Sequence, residues 1–261
     1  MALPEYLVPG ERNGLEPLYR GSQETLIWSC LQGVMGDAWA DDKDTPRCAL
    51  IRLGDFVYPA GEADAPDAAA LFRVLPDRRL FIVPENETWC DRIERLYGDR
   101  CRRFDRYAIK KEPGIFDRDK LCGWVRALPD GYSLEEIGTR WYESAMAEEW
   151  SCDFCSNFES REDFSRRGLG FVALWDGAPV SGASSYSVYR GGLEIEVATH
   201  PDHRRKGLAA ACAARLILEC LDRGLYPSWD AANPTSVRLS ERLGYHFDRA
   251  YPTYEIAPSC G

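Results

Sequence analysis

The sequence is poor in the groups that most often mark a metal centre. Its 261 residues include three histidines, His200, His203 and His246, which form no HxxxH pair. Ten cysteines are present, yet only Cys152 and Cys155 stand at a ligand-like spacing. A zinc site would want a second such pair or two histidines, so no metal site is predicted. The first residues, MALPEYLVPGERNGLEPLYRG, lack a basic n-region and an apolar h-region, and no apolar run reaches 18 residues. No signal peptide and no membrane-spanning helix are expected, a cytoplasmic location is expected, and the cysteines, Cys260 among them, read as free thiols. Positive charge is also in deficit: 32 Lys and Arg against 42 Asp and Glu give a net charge of −10. That balance opposes a nucleic-acid surface and is compatible with a cationic amine substrate.

What is present is a hydrophobic fraction of 45 % with 28 % charged residues, the composition of a globular chain that can bury a core. Its most informative stretch is LEIEVATHPDHRRKGLAAACAARLILECLDRG, residues 193–224. Leu193, Ile195 and Val197 alternate with Glu194, Glu196 and Ala198, which predicts a strand. Pro201 turns the chain, a basic corner follows at Arg204-Arg205-Lys206-Gly207-Leu208-Ala209, and a long helix apolar on most of its circumference runs to Gly224. A helix start leaves about four backbone N–H groups unpaired at the positive end of the helix dipole. Gly207 and Ala209 would let an anion approach that backbone, and the three basic side chains add charge, so the corner reads as a pyrophosphate cradle. It is neither a P-loop nor a Rossmann turn. The competing reading is a strand-to-helix connection whose basic residues are merely solvated.

Arg204-x-x-Gly207-x-Ala209 resembles the [RQ]-x-x-G-x-[GA] signature of the GNAT superfamily of acyl-CoA-dependent N-acyltransferases. Downstream, Trp229-Asp230 leads to Asn233 and Ser236 ahead of a short helix, Arg238 to Leu243, closed by Gly244-Tyr245; this is similar to the second block of that superfamily. The whole run looks like the branch that contains the zwittermicin A resistance acetyltransferase, and the resemblance covers residues 119–261. It implies a mixed α/β GNAT fold there, with a smaller α/β domain over 1–118, which the superfamily's tandem arrangements suggest could be a degenerate copy. It also implies acetyl-CoA as co-substrate and a small-molecule amine as acceptor, with transfer in a ternary complex. Val197, Ala198 and Thr199 would pair with the pantetheine arm through their backbone, Arg204, Arg205, Lys206, Gly207, Leu208 and Ala209 would hold the pyrophosphate, and Asn233 and Ser236 would touch the pantetheine or the departing thiol.

Amine acetylation needs a base for the nucleophile's proton. Glu194 and Glu196 lie on one face of the strand, about 7 Å apart from the strand rise. Glu196, nearer the implied acetyl position, is the preferred base, although charges on a strand's polar face are often only solvated. Ser240 stands where many GNAT enzymes carry a tyrosine that protonates the leaving thiolate, so that role falls to Tyr245, Tyr251 or no residue. A non-catalytic acyl-CoA-binding module is the alternative function.

In chain order, 1–22 reads as an irregular arm, Glu24 to Met35 as a helix, and Arg47 to Leu53 with Phe56 to Tyr58 as a hairpin across Gly54-Asp55. A helix is expected from about Pro66, a strand at Leu80 to Val83, a helix at Thr88 to Tyr97 and a strand at Arg103 to Lys110. Past the proline and glycine of Lys111 to Gly114, Leu121 to Leu128 is expected to be a strand. Ser133 with Glu136 forms a capping-box pattern for a following helix. Two strands joined by Asp176-Gly177 precede the central strand, and Phe247 to Ile256 is the last.

Overall fold

The computed structural model describes residues 3–259. Its contacts divide the chain into two units, Met1–Arg106 with Ala250–Gly261, and Tyr107–Arg249. The sequence reading puts the division at 118/119 and carries the second domain to 261. The end of the chain joins the first unit because Tyr254, Glu255 and Ile256 pair with Ile82, Phe81 and Leu80, a long-range match that no local pattern announces.

The first unit contains strands β1 (Glu5–Leu7), β2 (Asp37–Ala40), β3 (Cys48–Leu53), β4 (Phe56–Gly61), β5 (Leu80–Ile82) and the start of β6 (Cys101–Ile109), with helices α1 (Thr25–Leu31) and α2 (Glu87–Tyr97). β1 to β4 are antiparallel neighbours and β5 adds parallel to β4. The expected irregular arm therefore holds a sheet strand and a 3-10 turn, Pro9–Leu15. Buried Arg12 ties it down by donating to the carbonyls of Leu7 and Cys30. The helix expected from Pro66 is a 3-10 segment, Ala68–Val74. Its Leu71 and Phe72 join Leu50, Val57, Ile82, Trp89 and Ile93 in one core.

The second unit continues with α3 (Arg118–Arg126), β7 (Tyr132–Glu136), α4 (Gly138–Ala147), α5 (Arg161–Arg167), β8 (Gly170–Trp175), β9 (Ala178–Tyr189), β10 (Gly192–Thr199), α6 (Leu208–Asp222), β11 (Tyr226–Ser228), β12 (Asp230–Ala231) and α7 (Pro234–Leu243); β13 (Phe247–Ile256) returns the chain to the first unit. Two expectations are corrected. The strand proposed for 121–128 is α3, because Asp117 caps it by accepting from the Lys120 amide, and only Leu121 of its residues is buried. The capping-box segment is β7, antiparallel to β8, and the helix starts after it at Gly138. Alternation in Tyr-Ser-Leu-Glu-Glu satisfies the S-x-x-E spacing as well as a helix start does.

The sheet of this unit runs β11-β10-β9-β8-β7, antiparallel except for the parallel pair β10–β11. α6 covers one face, burying Leu208, Ala211, Cys212, Ala214, Leu216 and Ile217. Its alanines bring the helix close to the strands, and each fully buried leucine contributes about 1.5–3 kcal/mol. On the other face Ser184 Oγ donates to the Phe154 carbonyl at 2.7 Å. A Cβ at Gly182 would sit 2.6 Å from the Phe154 ring, so glycine lets the 152–158 segment lie flat against the sheet.

Candidate active site

β10 supplies the site's axis. It pairs with β11 only at Gly192, Leu193 and Glu194, so from Ile195 onward the two strands part. An extra residue of β9 between the Ile195 and Glu194 registers makes a bulge there, which adds local twist. The His200 amide donates to Val180 O on β9. Backbone alternation in an antiparallel pair then turns Val197 and Thr199 toward the released edge and Ala198 toward β9. Thr199 O accepts from Arg204 Nε at 3.2 Å and Ala198 O from Ser181 Oγ at 3.1 Å.

The corner at the head of α6 is open. Residues 204–207 are exposed, Leu208 is buried and Ala209 half-buried. Arg205 (φ 62°) and Gly207 (φ 81°) both take left-handed backbone, and such alternation turns successive N–H groups inward to make an anion-binding concavity. Among the described residues, no amide from 205 to 210 donates a hydrogen bond; the first to do so is Ala211, to Gly207 O. A Cβ on Gly207 would meet no atom within 4 Å. Six free donors, a helix N-terminus and the charges of Arg205 and Lys206 suit a diphosphate.

Glu194 and Glu196 share the sheet face opposite α6, with Ser187 and Ser184 as their partners on β9. Their environments differ: Glu194 is 6 % exposed, while Glu196 is half-buried, beyond the last residue paired to β11. Glu194 sits in a polar row with Ser187 and Ser228, its partners on β9 and β11. Tyr189 reaches Ser228 at 2.9 Å. It crosses Gly192, where a Cβ would lie 2.3 Å from the phenol oxygen.

Asn233 and Ser236 are engaged within the protein. Asn233 Oδ1 caps α7 by accepting from the Thr235 and Ser236 amides, and Ser236 Oγ accepts from Trp229 Nε1. The general-acid candidates are occupied too. Ser240 is fully buried and donates to Val237 O. Tyr245 donates to Pro227 O at 2.7 Å, and burial pushes its phenol well above the usual range. Tyr251 belongs to the first unit. Of the isolated CxxC, Cys155 is buried and raised to about 12 by that burial, and Cys152 is raised for the same reason, the opposite of a reactive thiolate. Cys260 lies outside the described residues.

An aromatic group beside the cradle gave no signal in the sequence, because its members come from separate elements. Tyr132 Oη lies 2.8 Å from His203 Nδ1 and accepts from Lys206 Nζ at 3.1 Å. The Trp175 and Tyr132 rings are 4.7 Å apart, and His200 stands between Trp150 and His203.

A splayed parallel strand pair beside an open, basic helix N-terminus is the architecture of the GNAT acyltransferases, and a model of the GNAT acetyltransferase family matches residues 16–254. The chain belongs to that family and is an acyltransferase. The match begins about a hundred residues before residue 119, where the resemblance drawn from the two motif blocks starts. Among relatives, the N-acetyltransferase YdfB of Bacillus subtilis is 26 % identical over 246 residues, covering 88 % of this chain and 89 % of that protein. A GCN5-related N-acetyltransferase-like protein from Streptococcus suis is 43 % identical, with a TM-score of 0.88 over 96 % of this chain and all of the other. A tandem GNAT protein from the clavulanic acid biosynthesis pathway is 15 % identical, with a TM-score of 0.52 over 86 % of this chain and 84 % of the other; that likeness is one of fold. No helix among the described residues is long and apolar enough to cross a membrane.

Proposed function

We propose that the protein transfers an acetyl group from acetyl-CoA to a primary amine of a small molecule by direct attack in a ternary complex. The observation that carries this reading is the run of six unbonded amides, 205–210, on an exposed basic turn beside the free edge of β10. The cradle residues hold the diphosphate, and Val197 and Thr199 offer backbone donors and acceptors to the pantetheine amides. Acetyl-CoA supplies an activated thioester carbonyl. Glu196 accepts a proton from the ammonium form of the acceptor, directly or through one water, and so frees the lone pair that forms the new C–N bond as the C–S bond breaks. Because Ser240 and Tyr245 already donate to backbone carbonyls, the second proton that the nitrogen sheds in becoming the amide passes through water to the departing thiolate. Asn233 and Ser236 shape the wall beside it by fixing the start of α7 and Trp229.

The acidic net charge and Glu194 behind Glu196 favour a cationic acceptor, and the resemblance to the zwittermicin A resistance branch places amine antibiotics alongside ordinary metabolites as candidates. The acyl donor fits the cytoplasm, as do the nine unpaired cysteines among the described residues. The occupied hydroxyls of Ser240 and Tyr245 favour one other reading, a module that binds acyl-CoA without turnover. Incubation with acetyl-CoA and a metabolite extract, followed by a mass search for the gain of one acetyl group, separates the two. Acetylated amine supports transfer, and tight CoA binding with no product from any amine supports the module.

A further inference from the structure

The aromatic group on the second unit is built, open and unused by the transfer chemistry. Tyr132 and Trp175 are cross-strand partners at the ends of β7 and β8, and Trp175 is 43 % exposed. Gly131 makes room for it: at φ 84° its Cβ would lie 2.6 Å from the Trp175 ring. Lys206 can only donate, so Tyr132 accepts from it. Among the described residues, the phenol's own proton then has His203 Nδ1 as its partner. With the phenol donating to Nδ1, the imidazole hydrogen sits on Nε2, and burial and the nearby Lys206 lower the ring's pKa. The group is thus a wide aromatic face edged by an N–H donor and an ammonium, and Lys206 and His203 join it directly to the corner that holds the diphosphate.

We propose that Trp175, Tyr132 and His203 form the platform for the purine nucleotide end of the acyl donor: the base stacks on Trp175, and the ribose phosphate monoester meets His203 Nε2–H and the Lys206 ammonium. This inference rests on the acyl-CoA reading above. An exposed indole face is a sequence-tolerant surface for a base, and the adjacent cations supply the charge complement.

Calorimetric titration of the full chain with CoA, 3′-dephospho-CoA and 4′-phosphopantetheine tests it without any acceptor. Trp175→Leu weakens binding of the two nucleotide-bearing probes about tenfold relative to phosphopantetheine, the size expected for one lost base stack. His203→Ala weakens CoA relative to dephospho-CoA by about tenfold, as the loss of one hydrogen bond to a charged phosphate requires, and it remains informative if the Trp175 variant does not fold. Equal losses for all three probes, or none, would overturn the platform and leave the acyl-CoA reading standing. Failure of the unaltered protein to bind any of them would overturn that reading, and this inference with it.

Discussion

Replacing Gly207 with leucine separates the cost to the fold from the cost to the ligand. Gly207 sits at φ 81°, ψ −1° as the residue that opens α6. A side chain in this left-handed conformation costs about 1–2 kcal/mol, offset by about 0.4–1 kcal/mol from the stiffer unfolded chain. No atom lies within 4 Å of the added Cβ, and the exposed turn lets the rest of the side chain extend into solvent. A net loss of about 1 kcal/mol lowers the Tm of a chain this size by roughly 2–4 °C. The ligand loses much more, because the side chain projects where an anion must approach the 205–210 amides. Each charge-assisted hydrogen bond there is worth about 1.5–3 kcal/mol, so losing one or two weakens CoA binding about a hundredfold. Calorimetry with CoA reads the second quantity and a thermal melt reads the first. A variant that melts lower yet binds CoA as the parent does would refute the assignment of the corner.

Glu196→Gln is expected to slow acetyl transfer about 10²- to 10⁴-fold with CoA affinity retained; unchanged turnover in a steady-state assay would move the base elsewhere. Arg205→Gly relieves a non-glycine φ of 62° and raises stability by about 1 kcal/mol, while CoA binding becomes weaker and less dependent on salt, read from melts and titrations at two ionic strengths. Asp163 accepts from Arg166 and Arg167, and mainly the Arg167 hydrogen bonds hold its carboxyl down at about 2. A depressed folded-state value stabilises the protein above the unfolded carboxylate range and is lost as pH falls towards 2. Urea unfolding should therefore show Asp163→Asn about 2 kcal/mol less stable than the parent at neutral pH, the two converging in acid. Leu216→Ala, in the fully buried stripe of α6, should cost about 2–5 kcal/mol in the same measurement.

Much of the second unit is legible in its residues because its decisive features are local. Alternation fixes β10, a buried apolar pattern fixes α6, and Arg204 to Ala209 stands between them. Pairings set over long distances were not legible. The bulge opposite Ile195 depends on the register of β9 against β10, and the early end of the β10–β11 pairing depends on where Ser228 falls. The stretch 118–136, which folds as α3 and β7, shows how weak a signal short apolar runs carry. Leu121 to Leu128 carries apolar residues at spacings that suit either state, and Asp117, outside the run, decides for a helix. Glu135 stabilises the true helix start from within β7 by accepting from Arg140 and Trp141, a role no capping motif describes. Asn233 and Ser236 stand out by their family pattern, yet their side-chain oxygens hold α7 and Trp229 in place. The first unit gave no chemical signal because its fold closes only when β13 returns beside β5.

A crystal structure with CoA bound bears most directly on all of this. The account predicts diphosphate oxygens within hydrogen-bond distance of the amides at 205–210, with the pantetheine arm along Val197 and Thr199 on the free edge of β10. CoA bound at any other surface, with those amides facing only solvent, would contradict it.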